Sequence, residues 1–160
     1  MAMSDVENEI DAGFTREDLK GPNLEAAYGG APSFLKRRYT KDLSKAQIAV
    51  TGVPFDMAVS NRPGTRLGPR GIREASSYQP YDEPYGWPFN ALSDLAIVDY
   101  GDVAYDYANI PAFPAALTAH IRKILEAGVA PVTLGGDHYI TYPVLKAFAE
   151  KYGPMSLLQF

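Results

Sequence analysis

The chain has 160 residues, 15 of them basic and 19 acidic, for a formal net charge of −4. Its 46% apolar and 21% charged residues are ordinary for one globular domain and exclude wholesale disorder, and the mild acidity argues against a nucleic-acid partner. No run approaches the ~18 apolar residues of a membrane span, the first residues lack the pattern of a secretory leader, and the absence of cysteine excludes a disulfide framework or a thiol nucleophile and suits a cytoplasmic location.

Residues 1–18 carry six acids (Asp5, Glu7, Glu9, Asp11, Glu17, Asp18) against Arg16 alone, and are expected to be mobile. Residues 1–45 read as an N-terminal arm. Its second part, 19–45, is expected to lie on the domain or on a neighbouring subunit, and it contains the basic knot Lys36-Arg37-Arg38. From residue 46 a domain begins. Short apolar runs at 47–52, 95–99, 131–134 and 155–160 predict strands buried on both faces, hence a parallel sheet. Between them, 69–77 predicts a short helix with Pro69 in its first turn. Residues 112–127 predict a longer one, with Phe113, Leu117, Ile121 and Ile124 at helical spacing and Gly128 as its stop. Residues 141–152 predict the next, with Thr141 as N-cap and Gly153-Pro154 as terminator. This alternation is α/β, a three-layer α-β-α arrangement around a parallel sheet.

In such sheets chemistry gathers at the carboxyl ends of the strands. The Gly135-Gly136 turn after the third run presents Asp137 and His138. His138 suits a metal ligand, a general base or a structural role. Asp137 could ligate, orient a neighbour or cap the following helix. Asp56, Asp99 and Asp102 could join His138 in an oxygen-rich metal site, or simply form turns and caps. His120 falls on the apolar stripe of its helix and reads as a hydrogen-bonded core histidine. Arg62, Arg66, Arg70 and Arg73 could cradle a phosphate, but their spacing matches no phosphate fingerprint, and bracing of carboxylates is the preferred role. The aromatic, Pro-rich stretch from Tyr78 to Phe89 could line a site mouth or pack over helices, with packing the commoner case.

Five pieces occur in order: Gly52-Val-Pro-Phe-Asp56, Arg62-Pro-Gly-Thr-Arg66-Leu-Gly-Pro69, Ile72-Arg73, Asp99-Tyr-Gly-Asp102 and Leu134-Gly-Gly-Asp-His138. Together they resemble the N-terminal half of a ureohydrolase of the arginase/agmatinase family, closer to its agmatinase branch. The resemblance covers roughly residues 45–160. It implies an arginase-like fold and a homo-oligomer. It also implies hydrolysis of a small guanidino substrate, agmatine, to putrescine and urea by a hydroxide bridging two manganese ions. Guanidinobutyrate is an alternative substrate. Residue by residue, the resemblance carries over one metal ligand, His138, and gives Asp56, Asp99 and Asp102 no ligand role. The family's Asp-x-His-x-Asp run and later Asp-x-Asp pair fall after Phe160. The chain is therefore expected to end before most of the ligands and to be inactive alone. An anion-binding module, or a non-catalytic partner of a full-length ureohydrolase subunit, are the alternatives.

Overall fold

The computed structural model describes residues 19–20, 26–78 and 83–160. The acidic start, 1–18, lies outside the described residues. Three strands, β1 (Ile48–Val53), β2 (Ile97–Asp102) and β3 (Ala130–Gly135), form one sheet in the order β2-β1-β3. Both pairings are parallel, with Ile48 opposite Ile97 on one side and Ala130 on the other. The first strand in sequence is thus central, as the family resemblance implies.

Helices cover both faces. Helix α1 (Gly68–Ser76) follows β1, and the short α2 (Ala91–Asp94) precedes β2. Helices α3 (Phe113–Glu126) and α4 (Thr141–Tyr152) flank β3 in sequence. On one face Val50, Ile97 and Leu134 pack with Leu92, Phe34 and Leu35. On the other, Ala49, Val98 and Tyr100 pack with Ile124 and Val129, while Phe113, Leu117 and Ile121 of α3 join Val53, Phe55 and Ala147. The four apolar positions predicted on α3 have no exposed surface, and each contributes about 1.5–3 kcal/mol of burial against its ordering cost.

Two expectations are corrected. The run 95–99 begins later and continues through Asp102, because Tyr100 is accommodated as a bulge: Val50 pairs with Asp99 and Thr51 with Gly101. Gly101 takes φ 71°, which the bulge requires and glycine supplies without strain. Met155–Phe160 is not a strand. These residues are exposed and without regular structure, because among the described residues no strand lies beside them to take their backbone hydrogen bonds.

The described part of the arm lies on its own domain. Thr40 N–H donates to Asp99 O and Asp99 N–H to Arg38 O, so residues 38–40 bridge the outer side of β2. Ser33, Lys36 and Arg37 are fully buried, so most of the expected basic knot is interior. Leu35 and Lys36 adopt φ 50° and 53°, a left-handed conformation costing about 1–2 kcal/mol per residue. The turn is held by Leu35 N–H on Ser76 Oγ and by Lys36 Nζ on the carbonyls of Ala26 and Gly29.

The Gly135-Gly136 turn is sterically fixed. Gly136 has φ 39°, and a Cβ there would sit 2.5 Å from Val53 O and 2.8 Å from Phe55 O. Val53 O belongs to β1 and Phe55 O accepts from Asp137 N–H, so neither carbonyl can swing away without breaking a contact. Gly136→Ala is expected to lower stability by at least about 2 kcal/mol, read as a shift in the urea midpoint. A midpoint equal to wild type would show that the turn relaxes freely.

Candidate functional site

The carboxyl ends of β1 and β3 meet at the Gly135-Gly136 turn. Asp137 leaves it nearly buried, at 7% exposure. Its Oδ1 accepts from Tyr139 N–H at 3.0 Å, which caps the 3-10 turn His138–Ile140. Its Oδ2 accepts from Ala58 N–H at 2.8 Å, and its own N–H donates to Phe55 O at 2.8 Å. The capping role expected of Thr141 therefore falls to Asp137: α4 begins after Ile140, and Thr141 is already helical. The 3-10 turn runs directly into α4, so the cap lies at Asp137, before the turn. His138 is exposed, with Nδ1 3.3 Å from Thr141 Oγ1.

Asp56 is also buried. Its Oδ2 accepts from Gly64 N–H at 2.8 Å, closing the base of the loop 56–64, and Arg66 Nη1 lies 3.5 Å from its Oδ1. Beside it Phe55 stacks on Phe113 at 3.9 Å, with Tyr105 edge-on to both. Tyr105 donates its hydroxyl to Pro54 O.

Three of the four arginines face carboxylates, and Arg62 is exposed. Arg70 pairs with Glu74 at the surface, and Arg66 faces Asp56. Arg73 is buried and grips Asp99 with two bonds, Nε to Oδ2 at 2.7 Å and Nη2 to Oδ1 at 3.0 Å. Its Nη1 donates to Asp102 at 2.7 Å. Burial opposes the charge on Arg73, but the bonds to Asp99 and Asp102 outweigh it and push its pKa upward. Asp99 also accepts from Phe34 N–H and Gly101 N–H.

Among the described residues no group of three His, Cys, Asp or Glu is placed to hold a metal ion. Asp99 and Asp102 turn to Arg73, and Asp56 turns to Gly64 and Arg66, so none joins His138. A lone imidazole does not fit a two-ion centre, which demands several hard oxygen donors.

His120 is hydrogen-bonded, as expected, but half-buried and not fully in the core. Its Nε2 lies 2.7 Å from Thr51 Oγ1, whose single proton goes to Gly101 O at 2.7 Å. Nε2 must therefore carry the hydrogen. Burial, helped by the charges of Lys41 and Lys123, pulls its pKa from 6.5 to about 4. Thr51 was not singled out in the sequence, nor was Lys41, whose ammonium donates to Tyr100 O and lies 4.1 Å from that ring's centre. Nothing in their sequence neighbourhood marks them; their partners sit on β2 and α3.

The described part of the aromatic stretch departs from the packing expected of it. Residues 79–82 lie outside the described residues, and Tyr78, Tyr85, Trp87 and Phe89 are exposed rather than packed. Trp87 and Phe89 cover one another, on a loop leading to the start of β2 and not to its carboxyl end. Among the described residues no helix is long and apolar enough to cross a membrane.

A three-stranded parallel piece with this ordered set of glycines, acids and a histidine at its carboxyl edge belongs to a known class. Residues 46–160 match the arginase family model, and the chain belongs to the arginase family. A curated agmatinase of Chromobacterium violaceum is 44% identical over 159 residues, which is 99% of this chain and 49% of that one. A solved structure described as a hypothetical agmatinase from Burkholderia thailandensis is 44% identical, with TM-score 0.84 over 90% of this chain and 45% of that chain. The proclavaminate amidino hydrolase of Streptomyces clavuligerus is 27% identical, with TM-score 0.71 over 81% of this chain and 42% of that one. The chain thus spans about half the length of the curated agmatinase.

Removing Asp99 strips buried Arg73 of two of its three carboxylate bonds. Asp99→Ala is expected to cost about 3–5 kcal/mol in urea unfolding. Asp102→Ala, at the half-exposed partner, is expected to cost under about 1 kcal/mol. Equal losses would show that the two carboxylates share the load.

His120 also sets a pH dependence. Between about pH 4 and 6.5 the unfolded chain binds the proton that the folded chain refuses, so stability rises with pH there. The contribution is complete above 6.5 and is lost as pH falls through that window. The urea midpoint of His120→Gln is expected to fall less than wild type between pH 7 and pH 4.5. Parallel curves would refute the assignment.

Proposed function

We propose that the chain is the N-terminal half of an agmatinase-type ureohydrolase. Water would cleave the guanidinium group of agmatine, a bond from the guanidinium carbon to the chain nitrogen breaking to give urea and putrescine. The observation that carries this is the 44% identity to a curated agmatinase across 99% of the chain. His138 is the residue we assign to manganese, as one ligand of the family's metal pair. The described residues do not complete that centre, so they contribute one donor and the shape of one wall.

The same reading makes residues 1–45 an arm, 46–160 part of the catalytic domain, the assembly a homo-oligomer and the setting cytoplasmic. Arg66, Arg70 and Arg73 already face carboxylates, which weighs against an anion-binding module.

The test is urea release from agmatine across a manganese titration, with guanidinobutyrate as the comparison substrate. Two proteins are needed: the 160-residue chain alone, and the chain joined to the matching second half of the Chromobacterium relative. The chain alone is expected to release no urea above background, and the joined protein to turn over agmatine only with manganese. Turnover by the short chain, free of longer species by mass spectrometry, would overturn this, as would a folded joined protein without activity.

A further inference from the structure

We infer that Asp137 is a positioning residue, whose carboxyl group locks the loop 56–64 to the turn that carries His138. The inference rests on the ureohydrolase reading for its functional half and on geometry for the rest.

A helix cap needs one acceptor oxygen. Asp137 uses Oδ1 for that purpose, on Tyr139 N–H, and the cap is thereby complete. Its Oδ2 does something a cap does not require: it crosses to Ala58 N–H, 79 positions earlier in the chain. The backbone repeats the connection, Asp137 N–H donating to Phe55 O. Ala58 lies just inside a loop whose base is already shut by Asp56 Oδ2 on Gly64 N–H. One buried side chain therefore fixes the loop at a second point and ties it to the residue next to His138. Residues 60–62 at the tip are exposed, so little else in the loop holds it against the domain.

The expected consequence is that the loop and His138 move as a unit. Without the crossing bond, the His138 turn keeps its cap and its backbone tie to Phe55, but the loop beyond Phe55 is free to drift from it, and groups placed around a reacting centre tolerate little such drift.

Serine separates the two roles, because it is a good cap but too short to reach a second segment. In the 160-residue chain, Asp137→Ser is expected to leave the exchange of Tyr139 and of core amides such as Val98 near wild type, while Ala58 N–H exchanges at least about tenfold faster. Asp137→Ala should release both amides, and Asp137→Asn, with one acceptor oxygen, only one of them. In the joined protein, Asp137→Ser is expected to lower kcat for urea release by about 10–100-fold with KM for agmatine little changed. Wild-type protection of Ala58 in Asp137→Ser would overturn the inference, as would lost protection with wild-type kcat. A wild-type joined protein that releases no urea would instead sink the ureohydrolase reading and leave Ala58 exchange to decide the clamp.

Discussion

The pair between Arg73 and Asp99 is the contact on which the arrangement of the chain depends. Asp99 has no exposed surface, and its two oxygens accept from Arg73 twice, from Phe34 N–H and from Gly101 N–H. Those four bonds join α1, the arm, the β2 bulge and the sheet itself at one carboxylate. A buried charge is costly unless it is paired and hydrogen-bonded all round, and here every acceptor direction is used. The pair therefore acts as a specification. Helix α1, leaving the carboxyl edge of β1, can pack in one rotation only, with Arg73 inward. The arm can approach only where Phe34 finds Asp99.

The same pair explains which parts were legible in the sequence. Helix α3 announced itself through Phe113, Leu117, Ile121 and Ile124, because burial against a sheet demands a 3.6-residue stripe. The turn at Gly135-Gly136 was legible because few residues tolerate its backbone. The role of Arg73 was only half legible: bracing was expected, but its partners lie 26 and 29 positions away. The burial of Lys36 and Arg37 was not legible, because only the fold places carbonyls around consecutive cations. The end of β2 was missed because Asp-Tyr-Gly-Asp has the composition of a turn, whereas a bulge lets a strand absorb it. Met155–Phe160 has the composition of a strand but lacks a neighbour.

The candidate site shows a comparable division between shape and chemistry. The acids of the family motifs are occupied within the fold: Asp56 with Gly64, Asp137 with Ala58 and Tyr139, Asp99 with Arg73. Their carboxylates organise loops at the carboxyl edge and leave His138 as the outward-facing donor. Short polar side chains after strands therefore separate into those that hold backbone and those that face solvent. That separation is not visible in spacing, because both kinds use the same residue types at the same positions. It rests on whether a backbone N–H from another loop arrives within hydrogen-bond range.

Residues 38–40 also give the sheet a direction of growth. They bond to Asp99 N–H and Asp99 O on the outer side of β2, so that margin is stopped like a chain-terminated end. The margin beyond β3 carries no such stop among the described residues; Ala130 and Val132 of β3 are exposed. Among the described residues the β3 side is thus the one left open, and a strand pairing there would leave the β1–β2 contacts in place.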